Sequence, residues 1–164
     1  MSIKNIAKLA VVAALYVVLT NIIPGVEFGP VQFRISEALN FLIFYNYRYI
    51  YSLGVGCAVA NFLGSPIKLD VLIGTAQTVL VLALIYLITK NMKNVIAKYV
   101  TLDVIFSLSM FIIAWEMWLD GIVKKSVLFP TYLGLVLSEA VILTISGIVM
   151  YLIQEKKLIN LYLD

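Results

Sequence analysis

Six stretches of the chain are apolar along most of their length, and short polar connections separate them. The stretches cover residues 6–23, 36–45, 50–63, 71–88, 99–118 and 132–153. A helix needs about 20 apolar residues to cross the hydrocarbon core of a bilayer. The second and third stretches are shorter, which indicates tilted helices or helices whose polar ends are buried in protein or line a cavity. The pattern predicts an all-α integral membrane protein, a bundle of six transmembrane helices.

Composition supports this class. Of the 164 residues, 63% are hydrophobic and 13% are charged, and that charged share is about half of what soluble domains carry. The polar residues are too few to cover a globule, so most of the apolar surface must face lipid. Six crossings use about 120 residues. No room remains for a soluble domain, and we expect a single six-helix membrane domain over residues 1–164.

Missing residue types exclude several kinds of chemistry. The chain has no His, which excludes imidazole bases, His-ligated zinc or haem, and Ser-His-Asp or Cys-His nucleophiles. Its single cysteine, Cys57, can form neither an internal disulfide nor a cysteine metal cluster. No Walker A phosphate loop occurs, so any ATP that drives the protein binds another subunit. We expect no catalytic residue, metal or cofactor, and the net charge of +3 gives no support for a nucleic-acid partner.

Basic residues predict the orientation of the bundle. Six helices place both termini on one side, which would carry eight Lys and Arg residues against four on the other side. Because cytoplasmic loops are enriched in Lys and Arg, we predict that both termini are cytoplasmic. The eight are Lys4, Lys8, Arg48, Lys90, Lys93, Lys98, Lys156 and Lys157, and the four are Arg34, Lys68, Lys124 and Lys125.

Polar residues close to or inside the apolar stretches are the candidates for a ligand site. Glu139 lies seven residues into the sixth stretch, where a carboxylate costs roughly 2.5 to 3.5 kcal/mol on insertion scales and should face a cavity or a partner. Glu37 follows Arg34 by three residues. The two can meet at the outer end of the second helix, as part of a site or as an interfacial ion pair. Asn61 and Asp70 flank the next outer turn and can point into the same cavity or cap helices.

Two tryptophans mark the outer end of the fifth stretch. Trp115 and Trp118 fit either an interfacial aromatic belt or a stacking surface for a flat ligand. We interpret the neighbouring Glu116 and Asp120 as solvated.

The first stretch carries a series of small residues, Ala7, Ala10, Ala13 and Ala14. Ala10 and Ala14 are four residues apart, a spacing that lets two helix backbones approach closely inside a membrane. The alanines can pack within the bundle or against another subunit, and both alternatives remain open at this point.

Residues 31–39, Val-Gln-Phe-Arg-Ile-Ser-Glu-Ala-Leu, resemble the QueT family. These proteins are the membrane-embedded substrate-binding subunits of energy-coupling-factor (ECF) transporters for queuosine precursors. The similarity continues through residues 60–62, 69–75 and the region around Glu139, and it spans the whole chain. It weakens between residues 121 and 130.

The resemblance implies a six-helix bundle with a ligand pocket near the outer face, closed by the connection at residues 25–34. It also implies a complex with an ECF scaffold membrane subunit and two cytoplasmic ATPase subunits. Ala10 and Ala14 would then lie at the contact with the scaffold.

The implied ligand is a 7-deazaguanine base, whose N1–H and exocyclic amine are adjacent donors that one carboxylate can accept together. Glu37 or Glu139 would accept them, and Gln32, Arg34 or Asn61 would donate to the carbonyl oxygen of the base. Phe33 or Trp115 would offer an aromatic face. Asp70 or the remaining carboxylate would pair with an amino substituent. The expected substrate-binding residues are Gln32, Phe33, Arg34, Glu37, Asn61, Asp70, Trp115 and Glu139.

We therefore expect the substrate-binding subunit of an ECF-type ABC importer in the cell membrane. One alternative is the same type of subunit for another vitamin-like heterocycle, since one scaffold serves unrelated ligands. Another is a solitary proton-coupled carrier that acts through Glu139. The absence of His and of paired acidic motifs argues against an intramembrane enzyme.

Overall fold

The computed structural model describes residues 2–22, 28, 32–66 and 69–156, and every regular element in these ranges is helical. The six α-helices are α1 Ile3–Thr20, α2 Tyr49–Gly64, α3 Asp70–Thr89, α4 Val95–Leu108, α5 Phe111–Leu119 and α6 Leu128–Glu155. Two 3₁₀ helices complete the fold, a long one at Ile35–Phe44 and a short one at Lys125–Val127. A helical segment therefore occupies each of the six predicted stretches.

Four helical segments are long and apolar enough to cross a membrane: α1, α3, α4 together with α5, and α6 with the short 3₁₀ helix that precedes it. The long 3₁₀ helix and α2 are apolar but shorter. These lengths agree with an all-α membrane protein. The number of six membrane crossings and the cytoplasmic location of both termini remain predictions.

The long 3₁₀ helix lies inside the bundle. Ten residues of 3₁₀ helix rise about 20 Å, less than the roughly 30 Å of a hydrocarbon core. Its Phe41, Leu42 and Ile43 are buried, and the helix contacts α1, α2, α3, α4 and α6. Such long 3₁₀ helices are uncommon because their hydrogen-bond geometry is poor, so the packing around this one holds it in place.

The fifth predicted stretch, 99–118, is two helices rather than one. Ser109, just after α4, donates its hydroxyl to the carbonyl oxygen of Phe106 at 2.6 Å and accepts from Nε2 of Gln77 at 2.6 Å. A serine hydroxyl that bonds a backbone carbonyl in this way bends or weakens a helix. The single predicted helix is therefore interrupted, although α4 and α5 together remain long enough to cross a membrane.

The small-residue series of α1 is divided between two faces. A Cβ at Gly56 of α2 would lie 2.7 Å from Cβ of Tyr16 and 2.9 Å from the carbonyl oxygen of Ala13, so α2 packs directly on this face of α1. Ala10 and Ala14 are exposed on the opposite face. The internal alternative therefore holds for Ala13, and Ala10 and Ala14 remain available to another partner.

The two ends of the bundle differ in chemistry. α3 runs from Asp70 at one end to Thr89 at the other, next to Lys90, and we call these the Asp70 end and the Lys90 end. Between them, large apolar side chains such as Leu80 and Phe111 are more than half exposed. Apolar surface of this extent is expected where a protein faces lipid.

Candidate functional site

Five charged residues are buried in the interior, towards the Asp70 end. Each is at most 6% exposed, and they come from four parts of the fold: the start of the long 3₁₀ helix, α3, α5 and α6. We call them the buried charged cluster, and they are Arg34, Glu37, Asp70, Glu116 and Glu139. Charges removed from water are costly unless they are paired or hydrogen-bonded, so the partners of each side chain decide what the cluster can do.

Glu37 is held by protein donors on both oxygens. The hydroxyl of Tyr16 donates to Oε1 at 2.6 Å, and Nδ2 of Asn40 donates to Oε2 at 2.6 Å. Asn40 is three residues after Glu37, and side chains three apart eclipse one another in a 3₁₀ helix. Glu37 lies within electrostatic range of Arg34, but the ion pair that the described part of the chain gives Arg34 is with Asp70.

Arg34 pairs with Asp70 instead. Its Nη2 lies 3.9 Å from Oδ2 of Asp70, and its guanidinium carbon lies 4.9 Å from the ring centroid of Phe28, a cation–π geometry. The hydroxyl of Ser65 donates to the same oxygen of Asp70 at 2.6 Å. Asp70 therefore joins the turn before α3 to Arg34, which is more than a helix-capping role.

Asn61 fixes the start of α3. Its Nδ2 donates to the carbonyl oxygen of Asp70 at 2.8 Å. A Cβ at Gly74 would lie 2.8 Å from the same Nδ2. Because glycine has no side chain, the amide of Asn61 can lie directly against α3 at this position. Asn61 is 1% exposed and borders the buried charged cluster.

The other two carboxylates of the cluster keep oxygens without a protein donor. Both oxygens of Glu116 and Oε1 of Glu139 have no hydrogen-bond partner within the described ranges. Glu116 lies within electrostatic range of Asp70 and Arg34, and Glu139 lies within range of Glu37 and Arg34. These carboxylates are therefore part of the same electrostatic environment as the ion pair.

The cluster is rich in acceptors and poor in donors. It holds one guanidinium against four carboxyl groups, and Oδ1 of Asn40 and Oδ1 of Asn61 also lack donors in the part of the chain that the structure covers. No group of three or more His, Cys, Asp or Glu side chains among those residues could hold a metal ion. The arrangement favours a ligand that brings several N–H donors or a cation.

The remaining predicted residues differ in their placement. Gln32 is buried and Phe33 is half-buried, and both directly precede Arg34. Trp115 does not join the cluster, because it is 55% exposed and its ring packs edge-on against Trp118 at 5.5 Å. Residues 25–27 and 29–31 of the predicted closing connection lie outside the described residues.

Sequence reasoning missed Tyr16, Asn40 and Glu116. The interpretation of Glu116 as solvated was wrong, because α5 turns Trp115 outwards and Glu116 inwards. The spacing carried a signal: buried Ile113 precedes Glu116 by three residues, so the two share one face of a helix.

Comparison with known proteins identifies the family. The family described as QueT transporter matches residues 6–156, a range that contains the whole buried charged cluster. A protein named Queuosine precursor transporter QueT from Lactococcus lactis subsp. cremoris (strain MG1363) is 39% identical over 123 residues, which cover 69% of this chain and 72% of that protein. No solved structure matches significantly. The helical fold and the family match agree on a transporter rather than an enzyme, and the chain belongs to the QueT transporter family.

Proposed function

We propose that the chain is the membrane-embedded substrate-binding subunit of an ECF-type ABC importer in the cell membrane, and that it takes up a queuosine-pathway 7-deazaguanine base. The observation that carries this proposal is the excess of buried acceptor oxygens in the charged cluster. The name of the Lactococcus relative supports the class of cargo. It would assemble with an ECF scaffold subunit in the membrane and with two ATPase subunits, and the ATPase subunits would bind and hydrolyse ATP.

The base and the cluster have complementary hydrogen-bonding groups. A 7-deazaguanine presents N1–H and an exocyclic amine side by side, and one carboxylate can accept both. Glu139 and Glu116 are the best acceptors because they have unpartnered oxygens, whereas Glu37 already has two donors. Arg34 would donate to the carbonyl oxygen of the base. Phe33 would cover the ring face, and we leave Trp115 out of the site.

The charge of the cluster also fits this class of ligand. Many precursors of the pathway carry an amino substituent on the seven-position, which is a cation near neutral pH. Arg34 and Asp70 are 3.9 Å apart, near the outer limit for an ion pair. A ligand cation beside Asp70 and Glu116 would relieve repulsion between the two carboxyl groups.

Mass spectrometry of the small molecule that co-purifies with the detergent-solubilised protein tests the proposal. We expect a 7-deazaguanine base, and we expect titration with a panel of bases and vitamins to rank such bases first. If a different heterocycle bound more tightly, the proposed type of subunit would stand, but the proposed substrate would be wrong. Uptake into proteoliposomes that lack ATPase subunits, driven by a proton gradient, would instead identify a solitary carrier.

Cysteine labelling tests the proposed orientation. Ser126 is exposed in the short 3₁₀ helix that precedes α6 at the Asp70 end, so Ser126→Cys should react with an impermeant maleimide in intact cells. Lys157→Cys, at a residue outside the described part of the chain, should react only after permeabilisation. Both variants carry Cys57→Ser to remove the natural thiol. The opposite labelling pattern would place the buried charged cluster near the cytoplasm and overturn the importer orientation.

A further inference from the structure

A polar cavity of about 260 Å³ lies at the Lys90 end. It is formed where the chain leaves the long 3₁₀ helix, where α3 ends and where α4 begins. The polar side chains that line it are Tyr45, Asn46, Tyr47, Tyr86, Thr89, Lys90 and Lys98. Because α3 separates it from Asp70 by the length of a helix, this cavity is distinct from the buried charged cluster.

The cavity is positively charged. Lys90 and Lys98 line it, and no carboxylate does. Neither lysine forms an ion pair with any residue in the described ranges, and Lys98 is half-buried. Two unpaired ammonium groups around one concave surface attract an anion, and the proximity of low-dielectric walls strengthens this attraction.

An apolar groove adjoins the polar cavity. Lys98 also lines a second cavity of about 100 Å³ with Tyr99 and Gln154. Tyr99 in turn lines a groove of about 330 Å³ between α4 and α6. On α4 the groove extends over the eight residues from Ile96 to Asp103, about 10 Å of helix. At its far end the carboxylate of Asp103 accepts a hydrogen bond from the hydroxyl of Thr144 at 2.7 Å.

We propose that these cavities together bind one anionic phospholipid, with its phosphate between Lys90 and Lys98 and an acyl chain in the groove between α4 and α6. The groove faces lipid, because its Ile96, Val100 and Ile148 are each more than half exposed. A free phosphate would occupy only the basic cavity, whereas a phospholipid matches both the charge and the apolar groove.

In the proposed orientation, the Lys90 end lies at the cytoplasmic surface of the membrane, at the level where lipid headgroups lie. Tyr45, Tyr86 and Tyr99 surround the basic cavities, and tyrosines are enriched at the level of the headgroups. Basic pockets between membrane helices on the cytoplasmic side recognise anionic headgroups. The inference rests on the proposed orientation and on the residues that line the cavities, and it does not depend on the identity of the transported base.

Native mass spectrometry of the full chain in detergent tests the site. Dioleoyl phosphatidylglycerol, dioleoyl phosphatidylcholine and glycerol 3-phosphate are titrated separately. Phosphatidylglycerol should bind most tightly, because it combines the anion with acyl chains. Equal affinity for phosphatidylcholine would overturn the role of the lysines, and equal affinity for glycerol 3-phosphate would overturn the role of the groove.

Matched variants separate a specific site from diffuse surface charge. Lys90→Gln with Lys98→Gln should weaken phosphatidylglycerol binding by about 30-fold. Lys93→Gln removes a positive charge at the same end but lines none of these cavities, and should change affinity little. Val100→Trp should fill the groove and weaken phosphatidylglycerol but not glycerol 3-phosphate. An equal loss in Lys93→Gln, or unchanged lipid affinity in Val100→Trp, would contradict the proposal.

Discussion

Glu139→Gln is expected to weaken binding of a 7-deazaguanine base by about 30- to 1000-fold without lowering the thermal stability of the purified protein. An amide keeps one acceptor oxygen and turns its other end into a donor, which would face the N–H donors of the base. The loss of a bidentate, charge-assisted contact and the buried mismatch together give this range. Titration of wild type and variant with the base measures it.

The stability measurement separates recognition from folding. Oε1 of Glu139 has no donor within the described ranges, so an amide there removes a costly buried carboxylate and breaks no bond to that oxygen. Glu116→Gln should behave in the same way. Glu37→Gln should lower the thermal midpoint as well, because Asn40 and Tyr16 both donate to this carboxylate.

The control for this prediction lies on the same helix. Glu155 is exposed at the Lys90 end of α6, and Glu155→Gln should leave affinity unchanged. Hypoxanthine-type analogues without the exocyclic amine should bind wild type poorly, because half of the carboxylate would go unpaired. Wild-type affinity in both Glu139→Gln and Glu116→Gln would show that Asn61, Asp70 or backbone groups read this edge of the base.

Ala14→Trp is expected to weaken association with the proposed ECF scaffold subunit by about 5- to 150-fold and to reduce transport, while ligand binding survives. Ala14 is exposed on the face of α1 opposite to α2, where small side chains permit close helix contact. An indole would hold the helices apart. Pull-down of the scaffold and ATPase subunits, together with uptake and ligand titration, measures the three effects.

A second alanine provides the matched control. Ala76 is exposed in the middle of α3, so Ala76→Trp places the same bulk on another lipid-facing helix. It should leave the complex and uptake intact. Normal uptake by Ala14→Trp would exclude this face of α1 as the docking surface, and equal losses in the two variants would indicate a general packing defect.

Local spacing was sufficient to locate the helical segments, but not to predict their number or type. The long apolar runs define where each segment lies, because backbone N–H and C=O groups inside a membrane must find their hydrogen-bond partners within their own helix. The spacing could not predict the break near Ser109, because that break depends on Gln77 from another helix. It also gave no indication that the second run forms a 3₁₀ helix, because packing by its neighbours decides that geometry.

The site was predictable only in part, for a related reason. The cost of burying a carboxylate identified Glu139 from the sequence alone, and the position of Glu37 three residues after Arg34 identified that residue as a candidate. Arg34, in contrast, pairs with Asp70 rather than with the glutamate three residues away, because the tertiary fold brings α3 close to it. Glu116 was missed since its neighbours Trp115 and Asp120 suggested an exposed helix end, whereas helix rotation decides which side faces inwards.

The hydrogen bond from Tyr16 to Glu37 couples the position of α1 to the buried charged cluster. One side of this helix touches the buried charged cluster through the Tyr16 hydroxyl, and the other side carries Ala10 and Ala14. A partner that tilts or rotates α1 as a rigid rod therefore shifts Tyr16 relative to Glu37. Linkage makes the effect reciprocal: the free energy by which docking changes ligand affinity equals that by which the ligand changes docking. A bound base would thus regulate the association of its own carrier with the energising subunits.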